Sequence, residues 1–127
     1  MQHFLLIFVG GGLGAVARHY VSGFTLRQLG PHFPYGTLTV NIIGSLLMGV
    51  VIGWLVQRGG ASGNTRMFFA TGILGGFTTF SAFSLDFVNM WERGEVGTAA
   101  VYVLASVGLS LIAVFVGLWL ARNLFAA

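Results

Sequence analysis

The side chains of this chain that could meet a ligand are mostly uncharged. Thr37, Asn41 and Ser45 recur at i, i+4 and i+8, and so do Tyr102, Ser106 and Ser110. On a helix that spacing aligns each trio along one face. Between the trios lies Gly72-Ile-Leu-Gly-Gly-Phe-Thr-Thr-Phe-Ser-Ala-Phe83, with Phe80 and Phe83 three residues apart and hydroxyls at Thr78, Thr79 and Ser81 beside them. An aromatic ring is negative on its face and positive at its edge. Ring edges and neutral donors suit an anion that is held weakly at several points, so that it can leave again. The plainer reading is structural. Hydroxyls can bond between helices at ~0.6 kcal/mol each or back to their own helix, and phenylalanines can face lipid. Thr37 and Ser45 fit the plainer reading. Asn41, with two amide donors to satisfy in a dry setting, fits it less well.

Those residues need elements that can carry them through an apolar medium. The chain has 127 residues, 56% hydrophobic and 7% charged, whereas a soluble domain carries roughly 25% charged residues. Four segments, residues 4–26, 35–56, 67–91 and 96–120, each have about the 20 residues a helix needs to cross the hydrocarbon core. The sequence therefore predicts one all-α membrane domain of four transmembrane helices. The linkers are short, with both prolines in residues 27–34, a polar turn at 57–66 and a tight corner at 92–95. Gly75-Gly76-Phe77-Thr78 predicts a break in the third span. Unwound backbone at membrane depth survives only around a protein-lined or watery cavity, and its freed carbonyls are apt ligands for a hard cation such as Na⁺.

Charge is sparse and even. Six arginines and no lysine stand against Asp86, Glu92 and Glu95. Arg18 lies well inside the first span. It either snorkels to the nearer interface or serves as a positive charge at a vestibule that draws anions in. Gly10 and Gly14, at the same spacing, make a small-residue packing surface with it, and His19 reads as an interface residue. Four spans put Arg58, Arg66 and Arg122 on one side and Arg27 and Arg93 on the other, with Arg18 near the latter. Cytoplasmic loops normally hold the excess of basic residues. Either a feature outside this count sets one orientation, or the molecule inserts both ways and pairs antiparallel, like the inverted repeats of larger transporters.

Several classes are excluded or disfavoured. Without cysteine there is no disulfide and no thiolate metal site. Scattered arginines make no nucleic-acid surface. No nucleophile–base pair, metal-ligand cluster or phosphate-binding motif points to an enzyme. A cleaved signal peptide is not expected, because no basic residue precedes the apolar run at Phe4–Val9. A small dual-topology proton-coupled exporter is the main alternative. It needs a membrane-embedded carboxylate, usually in the first span, and that span has none. Asp86 lies after the break and is assigned no transport role. A membrane subunit without transport of its own is the other rival, and the broken third span argues against it.

The motifs resemble those of the CrcB/Fluc fluoride channels. Gly72-x-x-Gly-Gly-Phe-Thr-Thr-Phe-Ser-x-Phe83 looks like the family signature, and Pro34-Tyr-Gly-Thr-Leu-x-Val-Asn41-x-x-Gly44 like its second-helix motif. Gly14-Ala-x-x-Arg18 is similar to the first-helix motif, and Tyr102, Ser106 and Ser110 match the fourth-helix polar track. The resemblance spans essentially the whole chain. It implies an antiparallel, dual-topology homodimer in the bacterial cytoplasmic membrane, with two pores that pass F⁻ and exclude Cl⁻. Phe80 and Phe83 would meet the ion edge-on with Asn41 nearby, and Thr79, Ser81, Tyr102, Ser106, Ser110 and Arg18 join them as pore candidates. A structural Na⁺ would sit on the dimer axis, held by backbone carbonyls of Gly75 and Thr78 from both subunits. The implied role is resistance: fluoride enters as HF, dissociates inside and leaves passively.

Overall fold

A computed structural model describes residues 1–58 and 63–125. Helix α1 spans Gln2–Leu29, α2 Tyr35–Gln57 and α3 Gly63–Arg66; a wide-turn π-helical stretch follows at Met67–Leu74. Next come a single turn, α4, at Gly75–Phe77, then α5 at Phe80–Glu92 and α6 at Val96–Leu124. Four stretches, Gln2–Leu29, Tyr35–Gln57, Gly63–Glu92 and Val96–Leu124, are long and apolar enough to cross a membrane. Each runs past the limits expected from the sequence. The polar turn expected at 57–66 is shorter than predicted, because Gly63–Arg66 is already helical; its middle, residues 59–62, lies outside the described residues. The other corners turn on left-handed glycines, Gly30 (φ 83°) and Gly94 (φ 79°), a conformation that costs glycine little.

The packing inverts that of a soluble protein. Phe4, Phe8, Leu104, Phe115 and Trp119 are exposed on the outer surface. The buried positions of α2 and α6 include Gly44, Gly49, Gly53, Ala113, Gly117 and Ala121. Lipid is as apolar as leucine, so helices gain little by hiding large side chains from it; small residues let backbones approach and gain dispersion contacts instead. A Cβ on Gly49 would lie 2.2 Å from the Val114 carbonyl oxygen, and one on Gly117 2.2 Å from that of Leu46. The α1 helix meets the third span as closely. A Cβ on Gly14 would lie 2.0 Å from the Ile73 carbonyl oxygen, and one on Gly76 2.4 Å from that of Gly11.

The break in the third span falls later than expected. Gly75–Phe77 remain helical, and the chain becomes extended at Thr78 (φ −81°, ψ 157°) and Thr79 (φ −152°, ψ 123°). The β-branched threonines, which favour extended backbone, are the unwinding residues. Gly76 instead gives α1 its close approach. Of the four spanning elements, the α5 half is the amphipathic one, with Asp86 on it.

Replacing Gly49 by alanine forces α2 and α6 apart and is expected to cost roughly 1–3 kcal/mol. Gly97→Ala, where a Cβ meets nothing within 4 Å, is the matched control. Thermal unfolding of the detergent-purified variants reads the difference.

Candidate functional site

The site begins with hydrogen bonds that the break leaves unmade. A continuous helix would close the Gly75 carbonyl on the Thr79 amide, Gly76 on Phe80 and Thr78 on Ala82. The Thr79 amide goes instead to Asn41 Oδ1 at 2.8 Å. Asn41 Nδ2 returns a bond to the Thr79 carbonyl at 3.0 Å, so one side chain holds both polar groups of an extended residue. The extended threonines carry Phe80 away from Gly76, and Arg18 Nε donates to the Gly76 carbonyl at 3.1 Å. The Ala82 amide is taken by Thr79 Oγ1 at 3.1 Å, which caps the start of α5. A bond to a charged donor such as Arg18 is worth roughly 1.5–3 kcal/mol. The Gly75, Phe77 and Thr78 carbonyls thus lose their helical donors, while Gly76 and Thr79 are served by side chains.

Arg18 therefore has a role that neither sequence reading foresaw. It is half-buried against the broken span and binds backbone there. Asn41 was expected as a donor to an anion; it first clamps the break, and its second N–H is the one left over. Gly44 was overlooked as a packing site. A Cβ there would sit 2.2 Å from Thr78 Cγ2, and its place three residues after Asn41 on one helix face was the available signal.

Beside the break, α2, α5 and α6 enclose an open cleft of about 350 Å³. Asn41, Ser45, Thr79, Phe80, Phe83, Ser106 and Ser110 all line it. Phe80 is 77% exposed, and its ring lies 5.4 Å from that of Phe83. The Ser106 and Ser110 hydroxyls are buried with no hydrogen-bond partner among the described residues. An unpaired buried hydroxyl costs about 1–3 kcal/mol, so two on one stripe ask for an occupant. The start of α5 at Phe80, beside the cleft, carries the positive end of a helix dipole. Among the described residues, none that lines the cleft is charged.

Not every candidate reaches the cleft. Tyr102 is wholly buried and packs its ring against Phe83 and Phe33. Its hydroxyl donates to Asp86 Oδ2 at 3.0 Å; Ser106 Oγ lies near that hydroxyl without completing a bond. Thr37 and Asp86 belong to a second pocket of about 300 Å³, toward the end of the bundle formed by residues 30–37 and α5. Ser81 is exposed, its hydroxyl 3.3 Å from that of Thr79.

The family described as CrcB-like protein, camphor resistance (CrcB), matches residues 5–118. This chain belongs to the CrcB family. A Mesorhizobium japonicum relative named fluoride-specific ion channel FluC is 56% identical, over 98% of this chain and 99% of its own length. Nitrobacter hamburgensis FluC 2 is 52% identical over 97% and 99%, and Agrobacterium fabrum FluC 50% over 98% and 100%. These CrcB relatives carry the names of ion channels, and the chain is an integral membrane protein rather than an enzyme.

Thr79→Val removes the cap at the start of α5 while keeping a β-branched side chain. It is expected to lower stability by about 1 kcal/mol, with Thr79→Ser largely restoring it, as read by thermal unfolding.

Proposed function

We propose that this CrcB-family chain is a fluoride-selective channel. It works as an antiparallel, dual-topology homodimer with two pores, and lets F⁻ leave passively across the bacterial cytoplasmic membrane. The observation that carries the reading is the uncharged cleft, where two phenylalanines, Asn41 and two unpaired serine hydroxyls converge. A small, strongly hydrated anion needs donors to replace its water. Hydroxyls, an amide N–H and ring edges supply them without a fixed cation that would hold the ion in place. The names of relatives at about half identity support fluoride as that anion. The exporter alternative would need its carboxylate at the substrate site; Asp86 lines the second pocket and accepts from Tyr102.

The residues present fit an axial Na⁺. Gly75 and Thr78 have carbonyls whose helical amides are given elsewhere, and Gly75 lies on the exposed face of the broken span. Two copies meeting there bring four such oxygens together, a donor set suited to a hard cation. When bound, Na⁺ supplies a fixed charge that ties the two breaks to each other. The near-even arginine distribution and the openness of the cleft around Phe80 support pairing with a second, inverted copy.

Liposomes containing the protein are expected to pass F⁻ electrogenically and to hold a Cl⁻ gradient; proton-dependent flux or equal Cl⁻ leakage would sink the reading. Combined Ser106→Ala and Ser110→Ala is expected to slow F⁻ flux about tenfold or more, since each hydrogen bond to a charged group is worth roughly 1.5–3 kcal/mol. The same variant should melt no lower than wild type, because it removes unpaired hydroxyls.

Topology has its own test. The chain has no cysteine, so Gln57→Cys gives a unique label site. About half of the molecules should react from outside intact cells, given so little arginine bias; labelling of all or none would mean one fixed orientation.

A further inference from the structure

We infer that Arg18 is a positioning residue for the carbonyl set proposed to hold Na⁺, and that it acts through its hydrogen bond rather than its charge. The inference rests on the Na⁺ reading above. Gly76 stands between Gly75 and Thr78, and the break deprives all three carbonyls of helical donors. Arg18 Nε binds the Gly76 oxygen at 3.1 Å, which withdraws that oxygen from the axis and fixes the short turn at Gly75–Phe77. The approach that makes this bond reachable comes from Gly76, whose Cα region rests against the Gly11 backbone too closely for a Cβ.

Charge alone points the wrong way. A guanidinium bonded to the neighbouring carbonyl repels a cation held by Gly75 and Thr78. Arginine is tolerated there for the geometry it imposes, and its charge is an opposing effect. The donor can be isolated chemically. Glutamine places Nε2 the same number of bonds from Cα as arginine places Nε, without the charge. Methionine places a methyl group there. Lysine keeps the charge but puts a methylene at that position.

The test is thermal unfolding of the purified full-length protein in Na⁺ and in N-methylglucamine at equal ionic strength, a readout independent of flux. Wild type and Arg18→Gln are expected to melt higher in Na⁺. Arg18→Met and Arg18→Lys are expected to lose most of that difference. A full Na⁺ response in Arg18→Met overturns the inference, as does rescue by lysine but not by glutamine. If Arg18→Met does not fold, the comparison of glutamine with lysine decides it. No Na⁺ response in wild type overturns the Na⁺ reading itself, and the role of Arg18 with it.

Discussion

Lipid offers no hydrogen bonds, so every polar backbone group at membrane depth must be matched inside the protein or opened to a cavity. The rest of this structure follows from how that rule is met at Thr78 and Thr79. Two extended residues remove several helical bonds from the middle of a span. Asn41 from α2 and Arg18 from α1 replace part of what is lost. Both substitutes come from neighbouring helices, so the break is stable only inside an assembled bundle. It is a tertiary feature written into one helix.

The glycine packing serves that requirement. Arg18 reaches the break because α1 lies against it almost backbone to backbone, with room for no Cβ at Gly14 or Gly76, and Asn41 because α2 meets it at Gly44, where the Thr78 side chain takes the place of a Cβ. A bundle held apart by leucines would leave the same polar groups stranded. Close packing also brings α6 onto α2, and that sets Ser106 and Ser110 across from Asn41 and Phe80 in one cleft. Stability and site geometry therefore draw on the same contacts, and the Gly49–Gly117 crossing is the clearest case.

Much of this could be read in the sequence. Hydropathy and span length revealed four helices, and helical spacing brought Asn41, Ser106 and Ser110 to inward faces. The threonine–phenylalanine run marked the break, although its glycines drew the expected position too early. What escaped was long-range. The partners of Arg18 and Asn41 lie 58 and 38 residues away, and no local pattern announces such bonds. Tyr102 shares a stripe with Ser106, yet its larger ring carries its hydroxyl past the cleft to Asp86. The wide turns of Met67–Leu74 had no local signal either, because π-helical backbone has no strong residue signature.

The unpartnered hydroxyls of Ser106 and Ser110 have one more consequence. A hydroxyl bound to nothing is an orientable dipole: it can turn its hydrogen toward a negative charge or its lone pairs toward a positive one. Such a pair lowers the barrier for an ion of either sign and cannot by itself choose between them. In the channel proposed above, the choice would fall to groups that cannot turn, the clamped Asn41 and the edges of Phe80 and Phe83. In the proposed channel, the rigid groups would set the sign of the charge and the mobile hydroxyls would ease its passage.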